Sequence, residues 1–119
     1  MITGIDHVQV AMPRGQEDAA RQFYGGLLAM TEEAKPPALA PRGGCWFTAG
    51  AAVLHLGVEE PFAPARKAHP AFLVADLDVL QARLTAAGYP CTRADEQIPG
   101  VTRFHVHDPF GNRVEFQQA

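Results

Sequence analysis

The 119-residue sequence carries one pattern twice, and that repeat restricts the possible folds more than any other feature. The first copy runs GIDHVQVAMP, a helical stretch to Met30, a Pro/Gly loop, then WFTAGAAVLHLGV. The second runs KAHPAFLVADL, a helical stretch to Gly88, a loop, then RFHVHDPFGNRVEFQ. His7 and His69 occupy one matching place, 62 positions apart (69 − 7), and His55 and Glu115 another, 60 apart (115 − 55). Each half therefore supplies one potential ligand on its opening strand and one on its closing strand. Three imidazoles and a carboxylate suit a divalent transition metal, and two-His-one-carboxylate sites with open positions are a catalytic arrangement.

Within each copy the apolar spacing reads as strand, helix, then up to three strands, so the expected class is α+β with two βαβββ modules. Ile5 to Met12 alternates as a strand, with Val8 and Val10 on one face and His7, Gln9 and Ala11 on the other. Gln16 to Met30 reads as a helix with an apolar stripe of Ala19, Ala20, Phe23, Leu27 and Met30, and Gly25-Gly26 signals its end. The prolines and glycines of Thr31 to Gly44 leave room only for a short edge strand. Cys45 to Thr48 and Ala51 to Val58 form a hairpin. In the second copy His69 to Ala75 is a strand, Asp76 caps a helix striped by Leu77, Leu80, Leu84 and Ala87, and Tyr89 to Asp95, Thr102 to His107 and Asn112 to Gln118 are strands. The expected organisation is a single domain over 1–119, with module one at 1–58, a linker at 59–68 and module two at 69–119. Neither module has enough apolar surface to stand alone.

Turn chemistry sets the expected registers. Asp108-Pro109-Phe110-Gly111-Asn112 fits a three-residue loop with Pro at the second position of a type I turn and a left-handed Gly. His107 then pairs with Arg113, Val106 with Val114 and His105 with Glu115, placing Arg103, His105, Arg113, Glu115 and Gln117 on one face. A two-residue Ala49-Gly50 turn pairs Trp46 with Val53 and leaves Gly44 opposite His55.

Composition narrows the function. With 47% hydrophobic residues the chain can bury a core without disulfides, so a bound metal would be functional rather than structural. A net charge of −3, with no basic run beyond Arg66-Lys67, argues against nucleic acid and for a small-molecule partner. Cys45 and Cys91 read as buried free thiols. No run approaches membrane-spanning length and no basic, then apolar, leader opens the chain, so the expectation is cytoplasmic residence without membrane association.

With DHVQVAMP, VLHLGV, HPAFLVADLDVL and DPFGNRVEF in place, the sequence resembles the vicinal oxygen chelate superfamily, which includes glyoxalase I, bleomycin-resistance proteins and extradiol dioxygenases. The resemblance covers essentially the whole chain, and the DPFGN turn followed by Glu115 is its most specific mark. It implies a partly open, U-shaped mixed sheet or barrel around one divalent metal, held by His7, His55, His69 and Glu115. His55 departs from the pattern: glyoxalase I enzymes usually carry Glu there and methylmalonyl-CoA epimerases Gln. Fosfomycin-resistance thiol transferases and extradiol dioxygenases need only the positions of His7, His69 and Glu115, which leaves His55 as a fourth ligand or as a base beside the metal.

The expected activity is that of a metal-dependent, glyoxalase-like lyase or isomerase acting on a small oxygenated or carbonyl substrate. Glu115 is the candidate base and His105 a secondary acid or base. Gln9, Trp46, Val53 and Arg103 are the expected substrate-binding residues, Arg103 as a clamp for an anionic substrate. Zn, Ni, Fe and Mn all suit the donor set. Alternatives are Fe(II) extradiol ring cleavage, thiol transfer to an epoxide antibiotic, and binding of a small molecule or antibiotic without catalysis. Exposed sheet edges imply a homodimer, and single-domain relatives that resemble this chain often pair module one of one subunit with module two of the other.

Overall fold

The computed structural model describes residues 1–119, and the chain divides into two compact units, Met1–Pro64 and Ala65–Ala119. The first contains β1 (Val8–Met12), α1 (Glu17–Ala20) continued by a π-helical segment (Arg21–Leu27), β2 (Thr31–Glu33), β3 (Cys45–Ala49) and β4 (Ala52–Val58). The second contains β5 (Ala71–Val74), α2 (Leu77–Ala86), β6 (Thr92–Arg93), β7 (Arg103–His107) and β8 (Arg113–Gln118). Both follow a βαβββ order, and each forms an open, mixed four-stranded sheet: β1-β4-β3-β2 in the first and β5-β8-β7-β6 in the second.

The repeat is visible in the registers. The closing strand of each unit lies beside its opening strand in parallel, with Gln9 opposite His55 and Ala71 opposite Glu115. His7 and His69 each stand two residues before those partners, just ahead of β1 and β5.

Alternation buries Val10, Met12, Phe47, Leu54 and Leu56 with Phe23 and Tyr24 in the first unit. It buries Phe104, Val106, Val114 and Phe116 with Leu77, Leu80 and Leu84 in the second. Cys45 is buried and Cys91 half-buried, and both are free. No helix is long and apolar enough to cross a membrane.

The helix expected over Gln16 to Met30 is shorter and largely not α-helical. The π-helical turn carries the fully buried Phe23 and Tyr24, and Gly25-Gly26, poor α-formers, lie within it. The helix has ended before Met30, which is buried, while Leu27 is only half-buried and Ala29 has a φ of +55°. In the second unit Ala87 is exposed at the end of α2 rather than part of its stripe, and the strand expected over Tyr89 to Asp95 contracts to Thr92–Arg93. Asp76 does cap α2, its side chain accepting from Val79 N at 3.1 Å.

The first hairpin turns at Gly50-Ala51 rather than Ala49-Gly50, so Trp46 lies opposite His55 and Val53 opposite Thr48. Gly50 has a φ of +56°. A two-residue hairpin turn needs positive φ at its first central position, where glycine is easily accommodated and alanine is not. The correction is two residues, which preserves faces, so Trp46 stays on the side of His55.

Candidate functional site

In the second unit the Asp108–Asn112 turn positions the chemistry. Asp108 Oδ1 accepts from the backbone N–H groups of Phe110 and Asn112, both at 2.9 Å, and Oδ2 from the Asn112 amide at 3.0 Å. Gly111 is left-handed at φ +89°. The turn gives the expected register, with His105 opposite Glu115 and His107 opposite Arg113.

One oxygen of Glu115 then gathers three groups. His69 Nε2 lies 3.0 Å from Oε1, His105 Nε2 2.9 Å and an Arg103 guanidinium nitrogen 3.0 Å, while Gln117 donates to Oε2 at 2.6 Å. The Glu115 side chain is 4% exposed. Burial pushes its pKa up, but the bonds from Gln117 and His69, the charge of Arg103 and the bond from His105 outweigh that and hold it at about 2. Burial and the charge of Arg113 push the His105 pKa down, against the opposing pull of Glu115.

His69 reveals what this arrangement can accept. Its Nδ1 lies 2.7 Å from the Lys67 carbonyl, an acceptor, so Nδ1 carries a proton. In the neutral ring Nε2 would then aim a lone pair at the Glu115 carboxylate. A divalent ion held by both would satisfy the Nε2 lone pair and the carboxylate together. A backbone carbonyl orienting an imidazole through its second nitrogen is also the usual support of a metal-bound histidine. One ligand atom from each of His69, His105 and Glu115 lies within 4.8 Å of the others, a His/His/carboxylate set that fits a divalent ion. His105, expected to assist rather than ligate, belongs to this cluster by distance. Arg103 is not a free clamp, because its guanidinium is committed to Glu115 and its Nε is buried without a partner.

In the first unit His7, His55 and Trp46 form a stack. The His7 and His55 rings lie 4.0 Å apart with planes at 20°, and His55 and Trp46 lie 3.9 Å apart with planes at 3°. His7 Nδ1 contacts Asp6 at 2.9 Å. Burial, then the neighbouring His7, lowers the pKa of His55, so the ring stays neutral and its lone pair available near neutral pH. Beside this stack a cavity of about 220 Å³ is lined in part by Gln9, Trp46, Lys35 and Arg42. Val53 stands outside it.

The Glyoxalase/Bleomycin resistance protein/Dioxygenase superfamily model matches residues 4–116. The chain belongs to that superfamily. A crystal structure of a Bacillus anthracis protein provisionally assigned to the glyoxalase family is similar over 99% of this chain and 96% of its own, with 50% identity and a TM-score of 0.93. The fosfomycin resistance protein FosX of Listeria monocytogenes shares the fold at 13% identity, with 100% and 95% covered and a TM-score of 0.78. Lactoylglutathione lyase of Agrobacterium tumefaciens does so at 21% identity, with 100% and 96% covered and a TM-score of 0.74. A comparison with curated proteins gives no match.

In this superfamily member the expected residues lie in two within-unit groups: His7, His55, Gln9 and Trp46 in the first, and His69, His105, Glu115 and Arg103 in the second. Sequence reading passed over Lys35 and Arg42. Their signal was present, since they are the only basic residues of the Thr31 to Gly44 loop, but nothing in the sequence tied that loop to a cavity.

Proposed function

We propose that this protein is a metal-dependent enzyme of the glyoxalase type, acting on a small oxygenated or carbonyl substrate by proton transfer. The observation that carries the reading is the approach of His69 Nε2 and His105 Nε2 to one buried oxygen of Glu115, at 3.0 and 2.9 Å. His69 and Glu115 hold the ion, with His105 in reach of the same position. The repeat adds His7 and His55 as further expected donors. A divalent ion held there supplies a Lewis acid that lowers the barrier to removing a substrate proton.

Glu115 and His105 are the groups that hold and move that proton, since one hydrogen bond of 2.9 Å joins them. Arg103 and Gln117 orient the Glu115 carboxylate from either side. The carboxylate itself is buried, while His69 at its side remains open to solvent and so to an incoming small molecule.

Metal analysis of protein purified without chelators or a His tag tests the first half of the reading. One zinc, nickel, iron or manganese per site, followed by turnover of dicarbonyl or hemithioacetal substrates, is the expected result. Metal content of zero after loading overturns it. Dioxygen consumption would mark ring cleavage, thiol-dependent loss of an epoxide would mark thiol transfer, and saturable binding without turnover would mark a binding protein.

The working unit in this reading is a homodimer. Each sheet ends in edge strands, β1 and β2 in one unit and β5 and β6 in the other, and unpaired edges are normally covered. Sedimentation at working concentration tests this, and a monomer refutes it.

A further inference from the structure

We propose that the cavity of the first unit binds the anionic head of a small organic acid, a carboxylate or a phosphonate, between Lys35 and Arg42. The inference goes beyond the proposed metal chemistry and stands without it. The first unit contains four basic side chains, Arg14, Arg21, Lys35 and Arg42. Arg14 is paired with Glu60, and Arg21 with Asp18 and Glu32. Lys35 and Arg42 have no carboxylate partner, and these two line the cavity. None of the lining residues is acidic. The Glu17 carboxylate approaches the Gly43 rim, where Arg14 lies beside it.

The cavity is built rather than incidental. Lys35 and Arg42 bracket a segment containing Pro36, Pro37 and Pro41, whose fixed φ angles stiffen it. Leu39 and Ala40 N–H groups both donate to the Pro36 carbonyl, and the Lys35 ammonium donates to the Gly43 carbonyl, tying the ends of the segment together. A cation held in place before binding, as Lys35 is, loses less conformational freedom when an anion arrives. Across the sheet Gly57 lacks the Cβ that would collide with the Gln9 amide, so Gln9 lies over it and offers a neutral hydrogen-bonding group. Leu39, Leu56 and Trp46 supply apolar wall for a short carbon chain. At about 220 Å³ the space is below the several hundred Å³ typical of drug-sized ligands and suits an acid of few carbons.

Trp46 is the only tryptophan and lines the cavity, so its fluorescence reports occupancy. The probes are butyrate, its uncharged isostere butyramide, and methylphosphonate, titrated to 50 mM with parallel ¹H–¹⁵N spectra to follow the Leu39, Gly43 and Gly57 amides. The expected result is saturable binding of butyrate or methylphosphonate, at least tenfold weaker binding of butyramide, and weakening when salt is raised. The stronger of the two anions identifies the headgroup. Arg42→Gln should weaken binding about tenfold while leaving the amide spectrum folded, and Lys35→Gln should do the same with added shifts at Gly43. Absence of saturation by both fluorescence and amide shifts overturns the proposal, as does butyramide binding equal to butyrate or an unaltered affinity in Arg42→Gln. Because His55 stacks on Trp46, the titrations are run with and without a chelator: anion binding that persists in the chelated protein and is lost in Arg42→Gln belongs to this cavity, and its failure is separable from failure of the metal-dependent reading.

Discussion

Trp46 lies flat on His55, ring centroids 3.9 Å apart and planes 3° apart, because β3 and β4 place the two residues directly opposite. Burial and the adjacent His7 disfavour a charge on His55, whereas an indole face attracts one. With burial dominant, the imidazole takes up its proton only below its ordinary pKa of 6.5. Tryptophan fluorescence should therefore fall as pH drops, with a midpoint below 6.5, and the step should vanish in His55→Gln. A midpoint above 6.5 would mean that the stacked indole outweighs desolvation.

Removing donors around Glu115 should separate ligands from supports. His69→Ala and Glu115→Gln are each expected to weaken divalent-metal binding by about a hundredfold or more, and His105→Ala by about tenfold or more, by analogy with losses from ligand and supporting shells. Competition against a chromophoric chelator measures this. Equal affinity in all three variants would remove the His/His/Glu cluster as the metal centre. The same titration of His7→Ala and His55→Ala decides whether the first unit contributes donors.

Glu115 also predicts an acid limit to stability. Its folded pKa is depressed to about 2 from an ordinary 4.5, so the unfolded chain takes up the proton first as pH falls. The stabilisation is present above pH 4.5 and is lost on acidification towards pH 2. Urea midpoints across that window should decline in the native protein and decline less in Glu115→Gln; parallel slopes would contradict the assignment.

The Asp108 turn should be a point of mechanical weakness for the site. Asp108→Ala abandons three hydrogen bonds in a buried turn, which should cost about 2 kcal/mol in denaturant unfolding. Gly111→Ala forces a side chain into φ +89° and should cost about 1 kcal/mol or more. Both should also weaken metal binding if the turn sets the His105–Glu115 register, whereas unchanged affinity would show that the register is held elsewhere.

What the sequence alone determined was set by short-range rules. Strand alternation assigned faces, Asp76 started a helix, and Pro109 with Gly111 pointed to a three-residue loop whose register the structure matches. Ala49-Gly50-Ala51 offered two adjacent turns of similar chemistry, and only the structure showed glycine taking the position of positive φ. Because that slip was even, it moved Trp46 onto His55 without changing its face. The tertiary structure decided matters that depend on side chains from separate elements: the π-helical segment that buries Phe23 and Tyr24, the capture of Arg103 by Glu115, and the union of His69 with His105. Lys35 and Arg42 belong to the same class, since their roles depend on a cavity whose walls come from β1, β3, β4 and a proline-stiffened loop. Period and turn type are local properties of a chain, whereas which charge meets which carboxylate is settled only by long-range packing.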